Sequence, residues 1–339
     1  MTQEWNSFLA AEGLAADGSR FGGSTEELIA ARDGAVMAPL TDLGLIRASG
    51  ADSAVFLHNL LTNDISGIGP DGARVAGFCT AKGRLLALLL IWRDGDDFLL
   101  MLPRDILPVI LKKLSMYVLR SRVKLTDASE EKALLGFSGA VLPAPTFAKD
   151  LNSLERFGVG GIDGGQAIRL ERTRWLLALD PASAMPIWRE LATSVRPVGL
   201  GAWHWLEIAA GQPRVVTATQ EAFVPQMLNV ELPAVAGVSF TKGCYPGQEI
   251  VARTHYLGKV KRRTFRARLT TAAVPGTQVY APETGEQHCG AIVSLAPSPA
   301  GGFECLVCVQ VGAVDAGEVH VGTPAGETLE FLSLPYELS

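Results

Sequence analysis

The sequence predicts an α+β protein with two α/β units of ferredoxin-like element order and a small all-β region after them. Three observations support this fold class. A strand–helix–strands–helix–strand order runs over 43–127, as a split βαβ sheet requires. A looser version of that order follows over 130–197. From Lys259 onward, short apolar strands alternate with Gly and Pro turns, and no helix candidate intervenes.

The composition is typical of a folded protein without a membrane span. The chain has 339 residues, enough for two or three domains, of which 48% are hydrophobic and 19% are charged. The net charge of −5 gives no global sign of a nucleic-acid binder. The N-terminal segment has no signal-peptide pattern, and the longest strongly apolar run, "LLALLLIW" at 85–92, is too short to span a bilayer. We therefore expect a soluble, cytoplasmic protein.

The first α/β unit contains its elements in a regular order. A helix candidate, "STEELIAARDG", precedes a strand-like "LGLIRASG" and the helix candidate "ADSAVFLHNLLTND", whose apolar residues have helical spacing. Strand candidates follow at 74–80, 84–92 and 98–102. The amphipathic helix candidate "PRDILPVILKKLSMYVLRS" and the strand candidate "RVKLTDA" complete the unit.

The second α/β unit is shorter and less regular. Its candidates are a strand in "KALLGFSG", a short helix in "TFAKDLNSL", one or two strands in "QAIRLERTRWLLALD" and a helix in "PASAMPIWRELATS". The stretch "RPVGLG" then returns the chain to the first unit, where the helix candidate "AWHWLEIAAG" ends at Gly211. The predicted domains are 1–129 together with 198–256, then 130–197, and finally a small β-barrel or sandwich at 257–339.

Five cysteines are present, and their odd number and spacing do not indicate a disulfide scaffold. Cys305 and Cys308 form a C-x-x-C inside the strand-like "FECLVCVQVG". Strand alternation places residues three apart on opposite faces, which favours packing roles over metal or redox chemistry. No second C-x-x-C or pair of histidines completes a zinc site.

The octet "KGCYPGQE" at 242–249 is the most specific motif in the sequence. With "FLHNLLTNDI", "AKGRLLALLLIW", "FVPQMLNVE", "VSFTKGCYPGQEIVARTHYLGKVKRR" and the late strands, it makes most of the chain resemble the YgfZ family, folate-binding relatives of the glycine-cleavage T-protein. The resemblance implies a T-protein-like fold of three domains around a central cavity, with a C-terminal β-barrel and tetrahydrofolate in the cavity. It also implies a role in iron–sulfur cluster assembly or repair, with effects on a tRNA-modifying iron–sulfur enzyme. The implied partners are folate and iron–sulfur client or assembly proteins.

The octet indicates a reactive thiol. Pro246 can occupy the first position of a helix running to about Arg253, which places Cys244 just outside the helix N-terminus. Partial positive charge there, together with Lys242 and Arg253, would stabilise a thiolate. Glu249 and Arg253 would pair across one turn of that helix. The alternative is a close-packed turn in which Cys244 is only a small apolar member.

A reactive Cys244 has three candidate uses: persulfide carrier, redox-active thiol or transient ligand for iron. A stable iron–sulfur cluster takes four cysteine ligands. One thiolate is too few, so no resident metal site is expected, and any iron handled here would be shared with a partner or held transiently.

The T-protein transfers a methylene unit to tetrahydrofolate and carries an aspartate pair in a Gly-x-x-x-Asp-Asp strand. Those two positions correspond here to Ala87 and Leu88. A folate-dependent aminomethyltransferase is therefore the disfavoured alternative, and no enzyme of the usual kind is expected. Asp64, in "LTND", is another nearby carboxylate, for which a turn role at a helix end is favoured.

The expected folate contacts come from three segments. The T-protein pattern Arg-x-Glu-Ala-Gly corresponds to "EIAAG", so its glutamate falls on Ala209, and Glu207 is the relocated candidate. Gln226 and Asn229 are candidates for polar groups lining the cavity, with ordinary loop hydrogen bonds as the alternative. The octet contributes three further polar candidates: Tyr245, Gln248 and Glu249.

A local positive charge follows the octet in "ARTHYLGKVKRRTFRAR". Its basic members are Arg253, His255, Lys259, Lys261, Arg262, Arg263, Arg266 and Arg268. Such a surface can attract the glutamate tail of folate, an acidic protein or RNA phosphates, and the alternative is a solvated strand with scattered charge. Because we expect no exposed aromatics interleaved with these charges, direct RNA binding is the disfavoured branch. His58 and His204 lack partners at metal-ligand spacing, which favours packing roles.

Overall fold

The computed structural model describes residues 3–143, 151–257 and 260–338. Its helices are α1 (Gln3–Ala11), α2 (Ser24–Asp33), α3 (Ser53–Leu60), α4 (Leu107–Ser115), α5 (Pro181–Leu191), α6 (Leu200–Ala209), α7 (Gln248–Leu257) and α8 (Val311–Ala316). Its strands are β1 (Val36–Pro39), β2 (Leu43–Ser49), β3 (Ala73–Cys79), β4 (Leu85–Asp94), β5 (Asp97–Pro103), β6 (Lys124–Asp127), β7 (Ala133–Ser138), β8 (Val159–Ile162), β9 (Gly165–Glu171), β10 (Arg174–Leu179), β11 (Arg196–Pro197), β12 (Arg262–Leu269), β13 (Gln278–Tyr280), β14 (His288–Pro297), β15 (Phe303–Gln310), β16 (His320–Val321) and β17 (Glu330–Leu332). The predicted α+β class is confirmed. None of the described helices has the length and apolar character that crossing a membrane demands.

The predicted order of the first unit is confirmed as β2, α3, β3, β4, β5, α4 and β6. The strands form a sheet of order β3-β4-β5-β2-β6, in which β2 pairs antiparallel with both β5 and β6. The apolar run predicted as a buried strand is β4, and it lies between two neighbours in this sheet.

A second sheet has the order β11-β1-β7-β10-β9-β8. It packs on an aromatic core that includes Trp5, Phe137, Trp175 and Trp188. The stretch predicted to hold one or two strands holds two, β9 and β10. The sequence did not predict α1, β1 or β8. The two strands have only four residues each and so carry too few periodic positions. The predicted helix in "TFAKDLNSL" falls mainly outside the described residues; its end, Leu151–Ser153, is a 3-10 turn.

The C-terminal sheet has the order β16-β13-β14-β15-β12-β17 and is curled into a half-barrel. Thr328, just before β17, forms an antiparallel bridge with His320 of β16, so the segment entering one edge strand reaches the other edge. The expectation that no helix intervenes is wrong: α8 follows β15 directly. Its six residues span less than two turns, and it ends at Gly317, which has a φ of +83°.

The chain forms two compact units. One comprises Met1–Phe56, Ile65–Arg74 and Leu90–Trp203; the other comprises Leu57–Asp64, Val75–Leu89 and His204–Ser339. The octet and the C-terminal sheet therefore belong to the same compact unit, the one that contains His204–Ser339. The three predicted domain boundaries stay a prediction.

Candidate functional site

The octet lies at the end of a loop, 240–247, which we call the thiol loop, and at the start of α7. The predicted bounds of this helix are wrong: it begins at Gln248 rather than Pro246 and runs to Leu257. Pro246 and Gly247 form a turn instead, closed by a hydrogen bond of 3.1 Å from Gln248 N to Tyr245 O. The reason is Gly247, whose φ of +82° is left-handed and incompatible with an α-helical first turn.

Gly247 anchors the end of the thiol loop against the turn between β3 and β4. A Cβ at Gly247 would lie 2.4 Å from Thr80 O and 2.6 Å from the Cα of Gly83. Both are backbone atoms, so no side-chain movement could relieve the overlap. The absence of a side chain at Gly247 therefore permits this contact between two backbones.

Lys242 anchors the same loop to the end of α3. Its Nζ donates to Leu61 O at 2.6 Å and to His58 O. Carbonyls at a helix C-terminus lack intrahelical donors and carry partial negative charge, so an ammonium suits them. Burial lowers the pKa of Lys242 to about 8, although Asp64 and Cys244 act to raise it. The predicted thiolate-stabilising lysine is thus bound first of all to the carbonyls that end α3.

Aromatic contacts hold the rest of the thiol loop. Tyr245 is buried, which raises its pKa, and its ring centroid lies 4.9 Å from Lys242 Nζ. Phe240 stacks on His255 of α7, with ring centroids 3.8 Å apart. Tyr256, 67% exposed, packs edge-on against both rings. These contacts fix both ends of the loop on neighbouring elements.

Between these anchors, Gly243 and Cys244 are exposed. The other four cysteines, Cys79, Cys289, Cys305 and Cys308, are buried. The loop therefore presents one accessible thiol from a backbone that is held before and after it.

The structure also brings His58 and Asp64 to this loop, which the sequence analysis missed. His58 Nδ1 lies 3.0 Å from Asp64 Oδ1. A Cβ at Gly243 would lie 3.9 Å from His58 Nε2. The packing role favoured for His58 and the turn role favoured for Asp64 therefore did not include their hydrogen bond or their position beside the octet. No local pattern could signal that position, because about 180 residues separate these two residues from the octet.

The "LTND" turn at 61–64 is held in place by buried hydrogen bonds to the segment that leads into the thiol loop. Thr62 Oγ1 donates to Gly237 O at 2.5 Å and accepts from Gly77 N at 2.7 Å. The side-chain amide of Asn63 donates to Ala236 O at 2.8 Å. The side chains of Thr62 and Asn63 therefore tie the turn that carries Asp64 to the backbone before the thiol loop.

Gln226 and Asn229 lie at and just after a 3-10 turn, Pro225–Leu228, and are fully buried. Gln226 Nε2 donates to Val251 O at 2.7 Å, and Asn229 Nδ2 donates to Thr264 O at 2.8 Å. Their amide oxygens are buried and accept no hydrogen bond from any residue that the structure describes. Each side chain thus makes an ordinary loop hydrogen bond through its nitrogen and keeps an unused acceptor.

A cleft of about 660 Å³ lies next to this turn. Its polar lining includes Gln226 and an ion pair in which Arg263 Nη1 lies 2.5 Å from Glu231 Oε1. Glu231 Oε2 is buried and has no hydrogen-bond partner among the described residues. Apolar side chains, including Leu232 and Phe265, line the rest. Gln226 and Glu231, whose unused acceptor atoms are themselves buried, therefore line a cleft that also has apolar walls, a combination typical of small-molecule sites.

The remaining predicted site residues are not among the lining residues of this cleft, and some of them are exposed to solvent. Glu207, on α6, has its Oε2 at 3.4 Å from Arg214 Nη1. Gln248 is partly exposed, and Glu249 and Arg253 are exposed. The expected Glu249–Arg253 ion pair is absent from the described part of the chain. Both side chains are exposed, and such a pair would gain only about 0.3–0.5 kcal/mol.

The T-protein aspartate positions are apolar in the folded chain. Ala87 is fully buried and Leu88 is partly exposed, and both lie in β4. No carboxylate is supplied from these two positions. In 3–143, 151–257 and 260–338, no group of three or more His, Cys, Asp or Glu residues is arranged to hold a metal ion.

The basic segment is partly neutralised by acidic neighbours. Arg266 Nη2 lies 2.5 Å from Glu304 Oε2, and Arg268 Nη1 lies 3.3 Å from Glu330 Oε2. Lys259 lies outside the described residues. The expectation that no exposed aromatics accompany the charges is wrong, because Tyr256, which directly follows His255, is exposed. The helix was predicted to end near Arg253, whereas α7 continues to Leu257 and includes Tyr256.

Comparison with known proteins gives one consistent relationship. No family model matches the chain. The "tRNA-modifying protein YgfZ" of Vibrio vulnificus strain YJ016 is 33% identical over 246 residues, or 72% of each chain. The protein of the same name from Escherichia coli O127:H6 is 31% identical over 252 residues, covering 73% of this chain and 74% of the relative.

A solved structure has the same fold. The glycine cleavage system aminomethyltransferase T of Bartonella henselae superposes with a TM-score of 0.76, covering 100% of this chain and 98% of that one. The sequence identity is 17%, so the match bears on fold alone. The predicted T-protein-like fold is confirmed.

Proposed function

The chain belongs to the YgfZ family of tRNA-modifying proteins, and from this premise we propose that it is a cytoplasmic, tetrahydrofolate-binding accessory protein for iron–sulfur cluster assembly or repair. In this proposal it supports an iron–sulfur enzyme of tRNA modification through the thiol of Cys244. The observation that carries the proposal is the exposure of Cys244 on an anchored loop, while the other four cysteines are buried.

An exposed thiol suits transfer chemistry because a thiolate is both a nucleophile and a metal ligand. As a persulfide carrier, the Cys244 thiolate would attack the outer sulfur of a donor persulfide. A new S–S bond forms on Cys244 while the donor's S–S bond breaks and the donor leaves as a thiolate. As an iron ligand, Cys244 would supply one of the four thiolates that a cluster takes, and a partner protein would supply the others.

In this proposal, the cleft beside Gln226 would take one edge of a folate. A pterin ring presents N–H donors along its aminopyrimidine edge, and Gln226 Oε1 and Glu231 Oε2 are buried acceptors without partners among the described residues. A cleft of about 660 Å³ is in the size range of ligand pockets. Bound tetrahydrofolate would supply a ring that carries or accepts one-carbon units. Gln226 and Glu231 would hold the ring edge, and Phe265 would contact its flat face.

Complementation tests the role of the thiol. In a strain lacking the native gene, Cys244→Ser should fail to restore the iron–sulfur-dependent tRNA modification, measured by mass spectrometry of digested tRNA. Thr241→Ala changes an exposed neighbour in the same loop and should restore modification fully. Full modification with Cys244→Ser would refute the proposed role of this thiol.

Calorimetry tests folate binding separately. We expect tetrahydrofolate to bind the wild-type protein and to bind Glu231→Gln at least tenfold more weakly, because the exchange replaces the charged, unused acceptor. Glu304→Gln is the matched control, since Glu304 is also paired with an arginine at 2.5 Å but uses its other oxygen to accept from Ser298. No heat with wild type, or equal weakening in both variants, would remove folate from the proposal.

Aminomethyl transfer is a second candidate because of the T-protein fold. The apolar residues at Ala87 and Leu88 argue against it. Incubation with labelled methylenetetrahydrofolate and amine acceptors should give no turnover, and sustained turnover would replace the accessory role with an enzymatic one.

A further inference from the structure

We infer that His58, held by Asp64, is the proton acceptor for the Cys244 thiol. This inference rests on the proposed role of Cys244 and deepens it by naming the residues that would ionise the thiol. It concerns a cluster built from two segments, the "LTND" turn with the end of α3 on one side and the thiol loop on the other.

The hydrogen bond to Asp64 sets the tautomer of His58. A carboxylate accepts a hydrogen bond, so the imidazole proton lies on Nδ1, 3.0 Å from Asp64 Oδ1. Nε2 then carries a lone pair. Within the described residues, Nε2 has no hydrogen-bond partner, although the His58 side chain is only 20% exposed. The ring therefore has a fixed orientation and one unused acceptor.

That acceptor faces the thiol loop at the residue before the cysteine. His58 Nε2 lies 3.9 Å from the point where a Cβ of Gly243 would be. The Cα of Cys244 is one trans peptide, about 3.8 Å, from the Cα of Gly243. Gly243 has no side chain, so this residue does not fill the space beside the imidazole. The described residues include no hydrogen bond between Cys244 and His58, and contacts of this kind often form fully only when a substrate binds.

The charges around His58 suit a transfer from sulfur to nitrogen. The S–H bond of Cys244 breaks and an N–H bond forms on Nε2, giving a thiolate and an imidazolium without any net change of charge. Asp64 stabilises the imidazolium. Lys242, whose Nζ donates to His58 O, brings a positive charge that interacts with Cys244. The other ionisable neighbour on the thiol loop, Tyr245, is buried against Lys242.

The test is the pH dependence of Cys244 alkylation by iodoacetamide. In the wild-type protein we expect the rate to rise with the ionisation of an imidazole–thiol pair, so that alkylation is already fast at pH 7. In His58→Gln the rise should move towards the ordinary thiol value of about 8.5, with a roughly tenfold lower rate at pH 7. Asp64→Asn should fall between the two, because an amide no longer stabilises the imidazolium.

Controls separate proton transfer from a folding effect. His288→Gln removes an exposed histidine on β14 and should leave the profile unchanged. In His58→Ala, added imidazole should restore the rate at pH 7, which a merely structural role would not allow. Superimposable profiles for wild type and His58→Gln, or equal shifts in His58→Gln and His288→Gln, would overturn the inference. Those results leave the complementation test of Cys244→Ser untouched, so failure of the two proposals can be told apart.

Discussion

Cys244 and the Cys305–Cys308 pair belong to the same compact unit but lie in opposite environments. The predicted strand around the pair is confirmed as β15, where both thiols are fully buried and burial raises the pKa of each to about 12. Cys305 belongs to the core of the C-terminal sheet, as expected for a packing residue. Cys244 is exposed in the thiol loop, directly after Gly243 and two residues before the Pro246–Gly247 turn. The C-x-x-C spacing therefore does not indicate reactive thiols here. The candidate for a reactive thiol is identified by its solvent accessibility and not by the spacing of cysteines.

Counting accessible thiols gives the largest contrast. The folded protein should react with DTNB at one cysteine, and unfolding in guanidinium should expose all five. Cys244→Ser should react at none while folded, because a buried thiol is neither reachable nor ionised. The measurement is the absorbance of the released thiolate. Rapid labelling of a second cysteine in the folded protein would break the contrast.

Substituting the glycines of the octet tests what holds the exposed thiol. Gly247→Ala should lower the free energy of unfolding by about 3 kcal/mol, from the left-handed φ and from overlap with the backbone of Thr80 and Gly83. Gly243→Ala is the matched control, since its nearest atom would lie at 3.9 Å, and it should cost less than about 1 kcal/mol. Urea denaturation measures both. Equal costs would mean that Gly247 is not an anchor.

The lysine anchor should have a smaller effect. Lys242→Met leaves the carbonyls of His58 and Leu61 without this donor and should lower the free energy of unfolding by about 1–2 kcal/mol. Lys261→Met, at an exposed position, should change it by less than about 0.5 kcal/mol. Cys305 and Cys308 should stay unreactive in both folded variants. A stability change for Lys261→Met as large as that for Lys242→Met would show that the hydrogen bonds from Lys242 to the carbonyls at the end of α3 do not stabilise the fold.

Much of the fold was predictable because its patterns are local. The order from β2 to β6 follows from apolar runs and caps within about 85 residues. The elements that were missed, such as β8 and α8, are only four and six residues long. The start of α7 was misplaced because proline suits a first helical turn, whereas the left-handed Gly247 determines the outcome.

The candidate site was predictable only in part, for a different reason. The octet identifies Cys244 within one continuous segment, so sequence alone can find it. His58 and Asp64 reach the octet through contacts such as Thr62 with Gly237, which join segments far apart in the chain. The unused acceptors of Gln226 and Glu231 likewise depend on what fails to reach them in space. Neither kind of information is present in residue spacing.

The last prediction concerns the buried thiol of Cys308, whose contribution to the free energy of unfolding should depend on pH. The pKa of Cys308 is about 12 in the folded chain and 9.0 in the absence of burial. Well below pH 9 the thiol is neutral in both states, so its contribution to stability is complete. As the pH rises towards 12, the unfolded thiol ionises first, the unfolded state binds fewer protons, and the contribution is lost. The stability advantage of wild type over Cys308→Ala should therefore shrink by about 1.4 kcal/mol between pH 8 and pH 10. Urea denaturation at these two pH values measures the difference. Val307→Ala provides the comparison, since it removes a buried side chain of the same strand that does not ionise, so its difference should not change. A constant advantage for Cys308 across this range would mean that its thiol is not kept neutral by burial, and the contrast with Cys244 would then be one of access alone.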